Sequence, residues 1–290
     1  MKSVICYLCK NEDYKIVNIK KSLEKLYLHY KFVNDSDIFI FVESDFPKEK
    51  IEDLKLSFPR IYFKTIEFKP SVDLKIPVES ISFDDKCDFT LGYRHMCQFF
   101  FSEIRNYIKE YDWYMRLDDD SFIESDINYN IFEYLENNNK VYGYVAEIPE
   151  WPPVVVGVDD FFIKIINEYK LTPHFFDKLL DDKKYNLRHF YNNIEIAKLS
   201  YFEKDEVKLL TRLVNESGNI YRWRWGDNLL RTILLSITVD QKQIHKFEDF
   251  DYYHQWYKRE NGVEMCFYSD YQLDLYNKWK NEGWLGCIKN

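Results

Sequence analysis

No apolar run in this chain approaches the ~20 residues that cross a bilayer, although 46% of its 290 residues are hydrophobic. The opening residues, Met1-Lys2-Ser3-Val4-Ile5-Cys6-Tyr7, pass straight into a strand pattern. They lack the longer apolar segment of a signal peptide or anchor. A soluble, cytoplasmic or otherwise intracellular protein without a membrane span is therefore expected. A basic surplus is also missing. The net charge of −9 argues against a nucleic-acid partner, but leaves room for a nucleotide held by one metal ion and a few basic groups. Six cysteines are scattered. Cys6 and Cys9 make a CxxC within an apparent strand, and without a second pair no zinc site is expected. Cys87, Cys97, Cys266 and Cys287 read as reduced thiols. Internal repeats, low-complexity tracts and linkers are absent, which implies a single domain.

What is present begins with a β-α-β pattern. Val4–Leu8 reads as a strand, Ile16–Tyr30 as a helix with Ile16, Ile19, Leu23 and Leu26 on one face, and Asp37–Val42 as a second buried strand. Such an opening implies parallel pairing with a right-handed crossover. Further helices are expected over Glu49–Ser57, Tyr93–Lys109, Asn130–Glu136, Asp159–Lys170, Thr172–Leu180 and Lys204–Glu216. Another is expected over Asn228–Ser236, with Asp227 as its N-cap. Strands are expected at Arg60–Phe68, Tyr111–Leu117 and Val141–Val145, and short extended pieces at Ile237–Val239 and Ile244–Phe247. Pro70–Asp88 reads as a loop. Aromatic residues make up 19% of the chain. Most belong in a core, and those in a cleft would suit the CH faces of sugars.

The stretch Trp113–Phe122 carries the chemistry. An apolar strand runs into Asp118-Asp119-Asp120, where the poor strand propensity of Asp ends the ladder. In extended backbone Asp118 and Asp120 point to one side. Their mutual repulsion calls for a hard cation, Mn²⁺ or Mg²⁺, and such ions bring phosphates with them. A bare DxD is more often an acidic surface turn. Its place after a buried strand, where α/β sheets hold ligands, raises its significance. Three other stretches stand out. In Gly92–Cys97, Arg94 and His95 start a helix whose N-terminus favours anions instead. Glu195 sits between two isoleucines. The Trp225-Gly226-Asp227 and Asp251–His254 segments add a carboxylate and an imidazole, and Mn²⁺ accepts imidazole beside oxygen.

These segments resemble glycosyltransferase family 15, the fungal α-1,2-mannosyltransferases, in order along nearly the whole chain. Asn11 follows the first strand as in the family's Arg-Asn. Tyr93–Cys97 matches its YRHMC run, and Trp113–Asp120 stands where the family has a WRxEPD-like stretch. Tyr185–Phe190 with Asn193–Ile196 is similar to YNLCHFWSNFEI, Arg224–Asp227 matches RWGD, and Ile244-His245 through Tyr253-His254 resembles the IH…YHP end. The resemblance implies a GT-A fold: a Rossmann-like mixed α/β sheet flanked by helices, with a nucleotide-sugar half over about residues 1–125 and an acceptor half over about 126–290. It implies a retaining, metal-dependent transfer of mannose from GDP-mannose to a glycan or glycoprotein hydroxyl, with Mn²⁺ (or Mg²⁺) on the diphosphate. Asp118 and His254 take the metal-binding positions, with Asp120 as a further ligand or as a residue holding one. Glu195 falls at the proposed nucleophile, either attacking the anomeric carbon or shielding an oxocarbenium-like centre. Tyr93, Arg116 and Asp227 fall on substrate-contacting positions, and Lys10 or Arg94 would add charge on the leaving group. Four departures bear on function. Asp118 is one methylene shorter than Glu, Asp119 replaces Pro, Arg188 replaces Cys, and Gln255-Trp256 replace a Pro pair. Alternatives are a transferase for another nucleotide sugar and a catalytically silent carbohydrate- or nucleotide-binding module.

Overall fold

The computed structural model describes residues 1–75 and 90–267. Most of the Pro70–Asp88 loop reading, and the thiols of Cys87 and Cys287, lie outside these residues. The expected β-α-β opening is present and extends by one unit. Strand β1 (Ser3–Leu8), helix α1 (Asp13–His29), β2 (Asp37–Val42), α2 (Lys48–Ser57) and β3 (Ile61–Thr65) follow one another, and the three strands pair in parallel. Helix α1 buries Ile16, Ile19, Leu23 and Leu26, so one stripe faces the sheet as the spacing demands.

Helix α3 (Leu91–Gln98) then leads to β4 (Trp113–Leu117), β5 (Ser121–Ile123), α4 (Ile131–Asn137), β6 (Tyr142–Tyr144), β7 (Glu147–Pro149) and α5 (Val158–Glu168). A two-residue hairpin, β8 (Leu180–Asp181) and β9 (Lys184–Tyr185), precedes β10 (Arg188–Phe190) and β11 (Ile194–Lys198). Helices α6 (Asp205–Ser217), α7 (Asn219–Trp223) and α8 (Asp227–Thr238) come next. The strands β12 (Ile244–Lys246), β13 (Tyr252–His254), β14 (Tyr257–Glu260) and β15 (Val263–Cys266) close the described chain.

The main sheet has seven strands in the order β12-β6-β11-β4-β1-β2-β3. Strand β11 runs antiparallel to both neighbours, so the sheet is mixed. Alternation along each strand divides the core between two faces. Val4, Cys6, Phe39, Phe41, Tyr114 and Tyr142 face one side with the aromatic cluster of α3 and α8. Ile5, Tyr7, Ile38, Ile40, Trp113 and Met115 face the other, with α1. Cys6, Cys9 and Cys97 are buried thiols, whereas Cys266 is exposed.

Four local expectations are corrected. The helix expected over Tyr93–Lys109 is regular only to Gln98; a π-turn over Phe99–Glu103 and a 3₁₀ turn over Ile104–Tyr107 follow. The wider turn lets Phe99, Phe100 and Phe101 all point inward, which an even 100° step would prevent. Thr172–Leu180 forms only a 3₁₀ turn at Phe176–Leu179. Pro173 supplies no donor, and the His174 and Phe175 amides donate to the Ser236 carbonyl at 3.1 and 2.9 Å. Ile237–Thr238 continues α8 instead of extending. Asp227 is the first residue of that helix rather than its cap, which is Gly226.

A second sheet, β15-β14-β13-β5, is antiparallel and sets His254 directly opposite Ser121. That register carries the imidazole to the Asp-rich turn across 134 residues of sequence. Arg259 fastens this sheet to the main one. It is 1% exposed and donates to the carbonyls of Phe250 (3.0 and 2.8 Å), Val145 (3.0 Å) and Phe247. Replacing Arg259 with Met would strand these buried acceptors. Urea unfolding of Arg259→Met is expected to show a loss of about 3 kcal/mol; a loss under 1 kcal/mol would contradict the fastening role.

Candidate active site

A cleft of about 860 Å³ opens at the carboxyl ends of β1 and β4, where open α/β sheets hold ligands. Strand β4 delivers Arg116 and then the three carboxylates. Arg116 is 2% exposed. Its Nε donates to Asp118 Oδ1 at 2.9 Å, and Nη1 donates to Asp227 Oδ2. The guanidinium lies 3.6 Å over the Phe100 ring. The two carboxylates beside it hold the guanidinium charged against the cost of burial. Asp227 also accepts from Asn192 Nδ2 at 2.6 Å. Burial works to raise its pKa, but Arg116 and Asn192 hold it below the usual carboxylate range.

The other two carboxylates have different partners. Asp120 Oδ1 lies 2.9 Å from His254 Nε2, and its second oxygen accepts from Gln255 at 3.0 Å. Burial opposes its charge, yet the imidazole and the Gln255 amide keep it well below the usual range. Asp119 turns away to Lys15 of α1 at 2.9 Å. Burial pushes it up to about 7 against the pull of that lysine.

His254 is 5% exposed. The Tyr191 hydroxyl takes Nδ1 at 2.6 Å. Nε2 lies between Asp120 Oδ1, at 2.9 Å, and Asp118 Oδ2, 3.8 Å away. An imidazole nitrogen set between two carboxylates suits a divalent cation. No three His, Cys, Asp or Glu groups form a finished metal cage among the described residues.

The structure therefore brings Asp118, Asp120, His254, Arg116, Asp227 and Tyr93 to one cleft, with exposed Lys10 at its mouth beside Glu12. Two expected residues are elsewhere. Arg94 is fully buried and donates to the Tyr221 carbonyl at 2.5 Å, which braces α7. Glu195 is 0% exposed and is not part of the cleft wall. Its register opposite Arg116 puts it behind that guanidinium. There it accepts from Tyr114 (2.6 Å) and Tyr142 (3.0 Å) and lies 3.4 Å from Arg231. A carboxylate walled in by two tyrosines and an arginine does not open onto the cleft.

Several wall residues were not among the expected site residues: Lys15, Tyr191 and Asn192, and a polar group at Glu150, His189 and Asn228. Nearness in sequence to Asn193 or Asp227 could have flagged Tyr191, Asn192, His189 and Asn228; Lys15 and Glu150 carry no such signal.

This architecture is that of known glycosyltransferases. The solved mannosyltransferase Ktr4p of S. cerevisiae superposes with a TM-score of 0.80 at 23% identity, covering 97% of this chain and 81% of that one. A Mn/GDP form of core-mannan synthase A from Aspergillus fumigatus gives 0.79 at 19% identity, covering 95% and 82%. The family model described as glycolipid 2-alpha-mannosyltransferase matches residues 1–275, and the chain belongs to that family. A probable mannosyltransferase of Candida albicans is 28% identical over 270 residues, which is 87% of this chain and 69% of that protein. The glycolipid 2-alpha-mannosyltransferase of Saccharomyces cerevisiae is 34% identical over 174 residues, 57% of this chain and only 39% of that protein. No helix among the described residues is long and apolar enough to cross a membrane.

The depressed Asp227 pKa gives stability that is full above the unfolded value of about 3.9. That stability is lost as pH falls through the lower folded value. The deficit of Asp227→Asn in denaturant unfolding is thus expected to be largest near neutrality and to shrink below about pH 4. A deficit that persists unchanged into stronger acid would contradict the Arg116–Asp227 pairing.

Proposed function

We propose that this protein is a metal-dependent, retaining mannosyltransferase that moves mannose from GDP-mannose to a glycan hydroxyl. The reading rests on one observation above all: His254 Nε2 set between the Asp118 and Asp120 carboxylates at the carboxyl end of β4. Support for the donor comes from similar folds. One Ktr4p structure is a complex with GDP, with a TM-score of 0.80 at 21% identity, and core-mannan synthase A is in a Mn/GDP form. We assign nucleotide binding to about residues 1–125 and acceptor binding to the remainder.

Asp118, Asp120 and His254 would hold Mn²⁺. When bound, that ion neutralises and polarises the diphosphate leaving group. Arg116 adds fixed positive charge next to Asp118, preorganised by its two ion pairs and its stacking on Phe100. Asp227 and Asn192 present acceptors and donors to hydroxyls beyond it. Tyr93 offers a phenol on the same wall, oriented by Arg224 Nη2 at 2.8 Å. Because Glu195 is walled off, a covalent sugar–Glu195 intermediate has no approach. Retention is instead assigned to acceptor attack on the face the diphosphate leaves. Glu195 serves by balancing the buried Arg116 and Arg231 charges.

Purified protein with Mn²⁺ and a panel of nucleotide sugars is expected to release GDP from GDP-mannose faster than nucleotide from any UDP-hexose. The reverse preference would overturn the donor. Asp118→Asn is expected to lower Mn²⁺-dependent turnover about 100-fold, and to weaken Mn²⁺ binding read by electron paramagnetic resonance. Full activity of the wild type in chelator would contradict the metal role.

A further inference from the structure

The Asp-rich turn is gripped from outside by one helix. The Ser121 amide donates to the Asp118 carbonyl at 3.0 Å, which closes a four-residue turn with Asp119 and Asp120 at its corners. Neither corner has a positive φ. In turns of this kind the first corner is where proline is favoured, because its ring presets φ. Here that corner is Asp119, whose own backbone carries no such restraint. Its carboxylate instead accepts from Lys15 Nζ at 2.9 Å, across 104 residues of sequence.

Lys15 stands in the first turn of α1, where the helix dipole disfavours a cation. The dipole gives no reason for a lysine there; the Asp119 carboxylate supplies one. Lys15 and Ser22 are seven residues apart, so they share a stripe of the helix, and both reach the same turn. Ser22 Oγ donates to the Ser121 carbonyl at 2.5 Å and lies 3.1 Å from the Tyr7 hydroxyl of β1. Lys25 meets Glu124 at 2.5 Å. Helix α1 thus follows the chain from Asp119 to Glu124, and its buried Ile16, Ile19, Leu23 and Leu26 fix it to the sheet. Ser22 and Lys25 grip β5 and the residue after it. Of the three, only Lys15 reaches the corner between Asp118 and Asp120. The dihedrals of that corner residue set how the two flanking side chains are directed relative to each other.

We infer that Lys15 is a positioning residue for the metal-holding turn: its ion pair with Asp119 fixes the corner between Asp118 and Asp120 from α1, as a proline ring would fix it from within. The inference rests on the transferase reading for what the turn holds. Its consequence is that Mn²⁺ affinity depends on a cationic side chain outside the metal-holding set. Bare electrostatics predicts the opposite sign, because a nearby cation repels Mn²⁺ and its removal would tighten binding.

The test uses the whole chain with Mn²⁺ itself as the probe, in the presence and absence of GDP, read by electron paramagnetic resonance. Hydrogen exchange of the Ser121 amide, read by NMR, follows the turn without reference to metal or turnover. Lys15→Met is expected to weaken Mn²⁺ binding about tenfold, as does loss of groups that orient metal ligands. It is also expected to speed Ser121 exchange about tenfold. Lys15→Arg keeps the ion pair and is expected to stay close to the wild type in both. Lys15→Met combined with Asp119→Pro is expected to recover both values, because the ring then fixes the corner. Lys15→Gln replaces Lys15→Met should that variant fail to fold. Unchanged Ser121 exchange, tighter or unchanged Mn²⁺ binding in folded Lys15→Met, or a double variant no better than Lys15→Met, each overturns the inference. A wild type that takes up no Mn²⁺ ends the metal reading; faster Ser121 exchange in Lys15→Met would still uphold the fixed corner.

Discussion

The arrangement depends on one buried guanidinium. Arg116 sits in the middle of a seven-stranded sheet, 2% exposed, and bridges Asp118 at the end of its own strand to Asp227 at the start of α8. Removing such a cation from water costs several kcal/mol unless it is fully paired. Asp118, Asp227, the Phe100 face and the neighbouring Glu195 supply that pairing. The bridge fixes how far β4 and α8 stand apart, and hence the width of the cleft between them. It also occupies one oxygen of Asp118 and leaves the other turned to His254. The carboxylate is thereby held in one direction by fixed partners of the fold itself.

The three aspartates of one turn show how neighbours divide labour. Asp118 answers to Arg116, Asp120 to His254 and Gln255, and Asp119 to Lys15 on the opposite side. The chain turns here, with the Ser121 amide donating to the Asp118 carbonyl at 3.0 Å, so the three carboxylates leave the turn in different directions. Where the related family has proline, this chain places a half-buried ion pair that ties the turn to α1. Three separate elements therefore hold a segment that in isolation would be a flexible acidic loop.

Much of this was legible in the sequence. The apolar periods of β1, β2 and α1 give the parallel layers directly, because burial on a sheet leaves no other place for those side chains. Asp118, Asp120 and His254 were also readable, two of them from spacing and the third through ordered motifs. The failures have physical causes. Glu195 lies between isoleucines in sequence, and whether a strand residue faces a cleft or the interior depends on which neighbours cover it, here Tyr114, Tyr142 and Arg231. Arg94 was judged by its place near a helix start, but its side chain travels into the core to reach the Tyr221 carbonyl. Glu150 and His189 were overlooked since each comes from a short, Pro-flanked or irregular segment. Only the pairing of β7 with β10 brings those segments together.

The central claim is that Asp118, Asp120 and His254 converge on a manganese ion that carries a nucleoside diphosphate. Anomalous diffraction at the manganese edge, from crystals grown with GDP and Mn²⁺, addresses it without recourse to turnover. The account predicts one strong peak within bonding distance of the Asp118 carboxylate and His254 Nε2, with diphosphate oxygens completing the shell. A peak elsewhere in the cleft, or bound GDP with no peak and the His254–Asp120 contact intact, would contradict it.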